Sequence, residues 1–130
     1  MKKILFLFVA ALMLAGLSSC DNNILYPVNR VEIHDAAGNK LPAYKPGGFP
    51  VASFVQLNAV FLNSKNESLE VSNPEEILWT MSNGQDSWFL PTNAGYEVYF
   101  NPPAEAAGPD MLYMKVEYRE FSAIVNFALN

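Results

Sequence analysis

Cysteine is almost missing from this 130-residue chain; Cys20 is the only one. No disulfide can form within the chain, so its stability has to come from packing. Histidine is equally scarce. His34 stands alone, and one imidazole without further ligands at the right spacing excludes a zinc site. Basic residues are outnumbered, with eight Lys and Arg against thirteen Asp and Glu. An acidic chain with no basic cluster repels phosphate backbones, which excludes a nucleic-acid partner. The longest apolar run, Ile4 to Leu17, has 14 residues, against roughly 20 needed to cross a bilayer. No Gly-x-Ser-x-Gly elbow is present, so the usual hydrolase nucleophile is missing too.

What is present begins with the leader. Lys2 and Lys3 precede the apolar run, and Leu17-Ser18-Ser19 precede Cys20. A short basic segment, an apolar core and small residues before a cut are the parts of an export signal. The stretch resembles the signal peptide and lipobox of bacterial lipoproteins. That resemblance implies removal of residues 1–19 and lipidation of Cys20, which becomes the new N-terminus. Each buried methylene contributes about 0.8 kcal/mol, so two or three acyl chains make a lasting membrane anchor. Residues 20–27 would form a tether spanning at most about 25 Å. The expected location is the cell envelope, at the outer membrane of a Gram-negative bacterium. Asp21 resembles an inner-membrane retention signal in one lineage and part of a surface-export signal in others, which leaves the leaflet open.

Losing Lys2 and Lys3 with the leader leaves six basic residues against thirteen acidic ones, a net charge of −7. The rest of the chain, residues 28–130, reads as a single domain large enough for one core. Period-two alternation dominates it, the mark of half-buried strands. Strands are predicted near 28–34, 53–62, 77–82, 88–90, 96–100, 111–118 and 121–129. Val55, Leu57, Ala59 and Phe61 form one stripe; Ile77, Trp79 and Met81 form another. A hairpin centred on Arg119-Glu120 pairs Tyr118 with Phe121, Val116 with Ala123, Met114 with Val125 and Leu112 with Phe127. Every pair is apolar on one face, so the register is well specified. Arg-Glu lacks the Gly or Asn that a two-residue turn prefers, which points to a four-residue loop in the same register. Residues 35–52, rich in Pro and Gly, read as a long link. Residues 101–108 suit one helical turn with Asn101 as its N-cap.

About seven short strands in some 100 residues predict an all-β sandwich. Leu57-Asn58-Ala59-Val60-Phe61, Ile77-Leu78-Trp79-Thr80-Met81-Ser82, Ala107-Gly108 and Ile124 to Phe127 resemble segments of bacterial immunoglobulin-like domains of the group-2 type. Trp79-Thr80-Met81-Ser82-Asn83-Gly84 also resembles the Trp-to-Gly motif of polycystic-kidney-disease-type domains. Either resemblance implies that Trp79 fills the centre of the sandwich, where its indole N–H needs a buried acceptor.

No residue set carries catalysis or a cofactor. His34 reads as a solvated residue at a strand end. Glu75 and Glu76 would face opposite ways on a strand and cannot converge on one bond. The oxygen-rich stretch Asn63, Asn66, Glu67, Glu70, Asn73 and Glu75 lacks the spacing of a calcium loop. Gly47-Gly48 has no helix after it to form a phosphate site. Aromatics are the remaining lead. Trp88, Tyr99 and Tyr113 are the candidate ligand contacts, with Tyr44 and Phe49 also in loops or short edges. The chain is therefore expected to be a non-catalytic, membrane-anchored binding or assembly module whose partner is an envelope protein or a glycan. The rival readings are a glycan-binding lipoprotein serving polysaccharide uptake, with those three aromatics stacking on sugar, and an enzyme inhibitor.

Overall fold

The computed structural model describes residues 26–130. The predicted leader 1–19, Cys20 and most of the 20–27 tether lie outside the described residues. Eight strands form among them: β1 (Val28–Asp35), β2 (Val55–Asn63), β3 (Ser68–Leu69), β4 (Leu78–Met81), β5 (Phe89–Leu90), β6 (Glu97–Phe100), β7 (Gly108–Tyr118) and β8 (Phe121–Leu129). The helical elements among the described residues are three 3-10 turns, Pro74–Glu76, Asp86–Trp88 and Ala104–Ala106.

The strands make two antiparallel sheets. One runs β1-β2-β6-β5 with β3 paired to the end of β2; the other runs β4-β7-β8. Alternation decides which residues face inward. Leu57, Ala59 and Phe61 of β2, Val98 and Phe100 of β6, and Val31 and Ile33 of β1 are buried. From the second sheet come Trp79, Met81, Met114, Val116, Val125 and Phe127. These two stripes share one core, the arrangement of an all-β sandwich.

Aromatic rings fill that core edge to face. Phe49 lies 4.9 Å from Phe127 and 5.5 Å from Phe100, and Phe61 lies 5.5 Å from Tyr118. Trp79 is fully buried, 5.8 Å from Phe89. Its indole N–H donates to the Gly95 carbonyl at 2.9 Å, satisfying the one polar atom that burial would otherwise strand.

The β7–β8 register pairs Tyr118 with Phe121, Val116 with Ala123, Met114 with Val125 and Leu112 with Phe127. The connection is tighter than the sequence suggests. Tyr118 and Phe121 pair across only Arg119 and Glu120, and Arg119 takes the positive φ of +57° that a two-residue turn requires. Its guanidinium lies 4.9 Å from the Tyr118 ring centroid, and its Nε lies 3.4 Å from a Glu76 oxygen. These contacts hold a residue that lacks glycine's conformational freedom.

Two further expectations change. The predicted helical turn is a 3-10 turn at Ala104–Ala106 with Pro103 as its N-cap and no side-chain cap. Asn101 instead donates its backbone N–H to the Trp88 carbonyl at 2.8 Å. The 35–52 link is not a bare link. From Ala43 to Val51 it runs beside the outer edge of β8, with parallel bridges at Tyr44–Asn126 and Phe49–Leu129. Phe49, expected in a loop or short edge, is 2% exposed because this segment carries it into the core.

That close approach depends on Gly48. Its φ is +64°, and a Cβ built there would lie 2.3 Å from the Ala128 carbonyl oxygen. The other open edge of the second sheet is covered as well. Trp79 donates to Asn93, Gly95 donates to Ile77, and the Asn93 side chain donates to the Trp79 carbonyl. Covered edges leave little main chain for unwanted strand pairing.

Candidate binding site at Trp88

Trp88 ends the 3-10 turn Asp86–Trp88 at one end of the sandwich. The preceding loop is closed by Asp86, whose carboxylate accepts the Met81 N–H at 2.8 Å. Gly84, at φ +82°, donates to the Met81 carbonyl. The indole is half-buried, tilted against Phe100 at 6.3 Å, so one part is fixed in the core and another meets the surface. Unlike Trp79, its N–H has no hydrogen-bond partner among the described residues.

A cleft of about 640 Å³ opens beside this ring, within the range of small-molecule sites (about 300–1,000 Å³). Leu112 and Leu129 add apolar wall to it. Its polar lining comes from Asn83, Gln85, Glu105 and Asp110. The Gln85 amide and both carboxylates have no protein partner among the described residues. Asn83 uses its carbonyl oxygen to accept the Gln85 N–H at 3.1 Å, which leaves its NH₂ free. Among the described residues, no Lys, Arg or His lines the cleft.

The three predicted ligand contacts do not come together. Tyr99 lies on β6, opposite Gln56 of β2 and Leu90 of β5, and points outward from the first sheet. Its phenol is raised above the ordinary value by a hydrogen bond to Glu97, whose negative charge adds to the effect. Tyr113 lies on β7, opposite Asn126, and points outward from the second sheet. Outward faces of two stacked sheets look away from each other, so Tyr99 and Tyr113 cannot grip one ligand. Only Trp88 lines the cleft.

No protein-family model matches this chain, and no curated protein matches it. The role of the molecule rests on the chemistry of its own surface.

His34 sits near the end of β1, as expected, but its ring is held rather than free in solvent. Its Nδ1 lies 3.1 Å from the Gly38 carbonyl, and its Nε2 lies 2.9 Å from a Glu32 oxygen. Burial pushes the Glu32 carboxyl up, but hydrogen bonds from His34 and Arg30, with the charges of Lys40 and Arg30, outweigh it. The net result lies below the usual carboxylate value. Glu75 and Glu76 sit in the 3-10 turn Pro74–Glu76 rather than on a strand.

Asn63, from the oxygen-rich stretch, is 1% exposed and organises its own turn. Its carbonyl oxygen accepts Lys65 and Glu67 N–H groups at 2.8 and 3.0 Å, and its NH₂ donates to the Glu67 carboxylate. Among the described residues, no group of three or more His, Cys, Asp or Glu stands where it could hold a metal ion. Nor is any helix among them long and apolar enough to cross a membrane.

Sequence reasoning singled out the ring and missed its surroundings. Asn83 and Gln85 precede the 3-10 turn that ends at Trp88, whereas Glu105 sits in the 3-10 turn Ala104–Ala106 and Asp110 at the start of β7, about twenty residues further along. Closure of the sandwich end is what makes them neighbours.

Proposed function

We propose that this protein is a non-catalytic, lipid-anchored binding module with an immunoglobulin-like fold, acting at the outer membrane of a Gram-negative bacterium. Strand order supports the fold. With β3 set aside, the sheets run β1-β2-β6-β5 and β4-β7-β8, the A-B-E-D and C-F-G order of a constant-type immunoglobulin sandwich. Trp79 lies on the third of those seven strands, where that fold keeps its core tryptophan. Such sandwiches serve many functions, so the role has to come from a site.

The observation that carries the binding role is the Trp88 cleft. A half-buried indole stands beside exposed polar side chains, of which Gln85, Glu105 and Asp110 have no protein partner among the described residues. Structural polar groups elsewhere, such as Asp86, Asn93 and Asn63, are all engaged. The non-catalytic reading is supported by His34, which is held by Gly38 and Glu32 and does not line the cleft. The anchor rests on Cys20 and the Leu17-Ser18-Ser19 that precede it.

In-cell photo-crosslinking tests the reading. A crosslinker at Gln85 should trap one dominant envelope neighbour, protein or glycan, and Trp88→Ala should abolish that adduct. An adduct pattern indifferent to Trp88, or equal trapping from Thr80 on the outward face of β4, would overturn it. Cys20→Ala should release the protein from membranes. Retention of that variant would overturn the anchor.

A further inference from the structure

We infer that the Trp88 cleft takes a neutral saccharide, held by ring stacking and by hydroxyl hydrogen bonds. This rests on the binding-module reading above and names the ligand class for its site. The inference comes from the balance of groups around one aromatic face.

A pyranose ring presents a C–H face that is apolar and a rim of hydroxyls that each donate and accept. Trp88, the aromatic side chain that lines the cleft, is the group available for the first. For the second, the cleft supplies donors and acceptors together. The Gln85 amide can do both, the Asn83 NH₂ and the Trp88 N–H donate, and the Glu105 and Asp110 carboxylates accept.

Other ligand classes fit the same groups worse. Phosphates, sulfates and uronates need a cation, and the lining has none among the described residues while carrying two carboxylates. A quaternary ammonium or a lysine side chain would find the carboxylates, but it has no acceptor for the donors on Asn83, Gln85 and Trp88. A purely apolar ligand would strand all of these polar groups. A polyol uses every one of them.

The two tryptophans make the test direct. Trp79 is fully buried and bonded to Gly95, whereas Trp88 lines the cleft. A change in intrinsic fluorescence on adding ligand therefore reports Trp88. The full-length protein, produced with its leader and purified from membranes in detergent, is screened on an array of neutral and acidic oligosaccharides. Hits are then titrated by fluorescence, with tetramethylammonium chloride as the cationic probe.

At least one neutral oligosaccharide should bind with a Kd below about 1 mM and shift the emission. Trp88→Ala should weaken that binding at least tenfold, and Trp88→Tyr should restore part of it. Gln85→Ala and Asp110→Ala should weaken it several-fold, while Tyr99→Ala and Tyr113→Ala leave it unchanged. Near-ultraviolet circular dichroism from the packed core checks that each variant is folded.

No neutral saccharide response, binding that survives Trp88→Ala in a folded variant, or preference for acidic sugars would each overturn the assignment. A response to tetramethylammonium alone would overturn it too. If the array is silent while the Gln85 crosslink still depends on Trp88, the saccharide fails and the binding module stands. If both are silent, both fail.

Discussion

Replacing Gly48 with alanine should cost this protein a large share of its stability, whereas the same change at Gly47 should not. Gly48 holds φ at +64°, where an L residue is disfavoured by about 1–2 kcal/mol. The new methyl would also lie 2.3 Å from the Ala128 carbonyl oxygen, which is backbone and cannot swing aside. Segment 43–51 would have to retreat from β8. That movement breaks Phe49 N–H to Ala128 and Asn130 N–H to Phe49, bonds of 3.1 and 3.0 Å, each worth about 1 kcal/mol net. Phe49 would withdraw in part from Phe100 and Phe127, forfeiting some of the roughly 1.5–3 kcal/mol that burial of a Phe contributes. The total is about 3–5 kcal/mol, against roughly 5–15 kcal/mol for a typical domain.

Gly47 is the matched control. Its φ lies outside the left-handed region, and the nearest atom to a new Cβ is Lys45 Nζ at 3.9 Å. Gly47→Ala should stay within about 1 kcal/mol of wild type, on the stabilising side. Urea unfolding followed by tryptophan fluorescence measures both. With an m-value of about 1–3 kcal/mol/M, Gly48→Ala should lower the midpoint by roughly 1–5 M. Midpoints for the two variants within about 0.3 M of each other would refute the argument that 43–51 is pinned to β8 by close approach.

Three further outcomes follow from buried or partnered groups. Trp79→Phe removes the indole bond to Gly95 and leaves space in the core, so urea unfolding should read a loss of about 2–4 kcal/mol. Tyr96→Phe deletes the hydroxyl that accepts Val71 N–H at 2.7 Å and should cost about 1 kcal/mol, while Tyr99→Phe should have no measurable effect on the midpoint. Glu32 has a folded pKa below its ordinary 4.5, so its contribution to stability is fully present above pH 4.5 and is lost as pH falls through the lower folded value. Glu32→Gln should flatten that acid limb in urea midpoints taken from pH 7 downward; an unchanged acid limb would contradict the role given to the Arg30, His34 and Lys40 contacts.

Strand patterning was legible because it is local. The stripe Ile77-Trp79-Met81 and the apolar pairing across the β7–β8 hairpin need no knowledge of distant residues, since alternation alone assigns each side chain to a face. Arg119 in a tight turn was not legible, because nothing local favours Arg there. The contacts that support it come from Tyr118 beside it and Glu76 far along the chain. Phe49 misled for a related reason. Its Pro- and Gly-rich surroundings read as an open link, and only the main-chain bonds to β8 turn it inward.

The candidate site divides along the same line. Residues near Trp88 in sequence announced an aromatic on a short edge, and Tyr99 and Tyr113 announced two more exposed rings. Grouping them as one surface required a geometry that two stacked sheets forbid.

Sequence alone determined that no disulfide closes within the chain, the acidic balance and the inward stripes that build an all-β core, because each depends on residue identity or on spacing within a few positions. Tertiary structure alone decided that segment 43–51 seals β8 and that Gln85, Trp88, Glu105 and Asp110 surround one cleft. Those outcomes depend on which loops meet when the sheets stack, and backbone hydrogen bonds between residues tens of positions apart set that meeting.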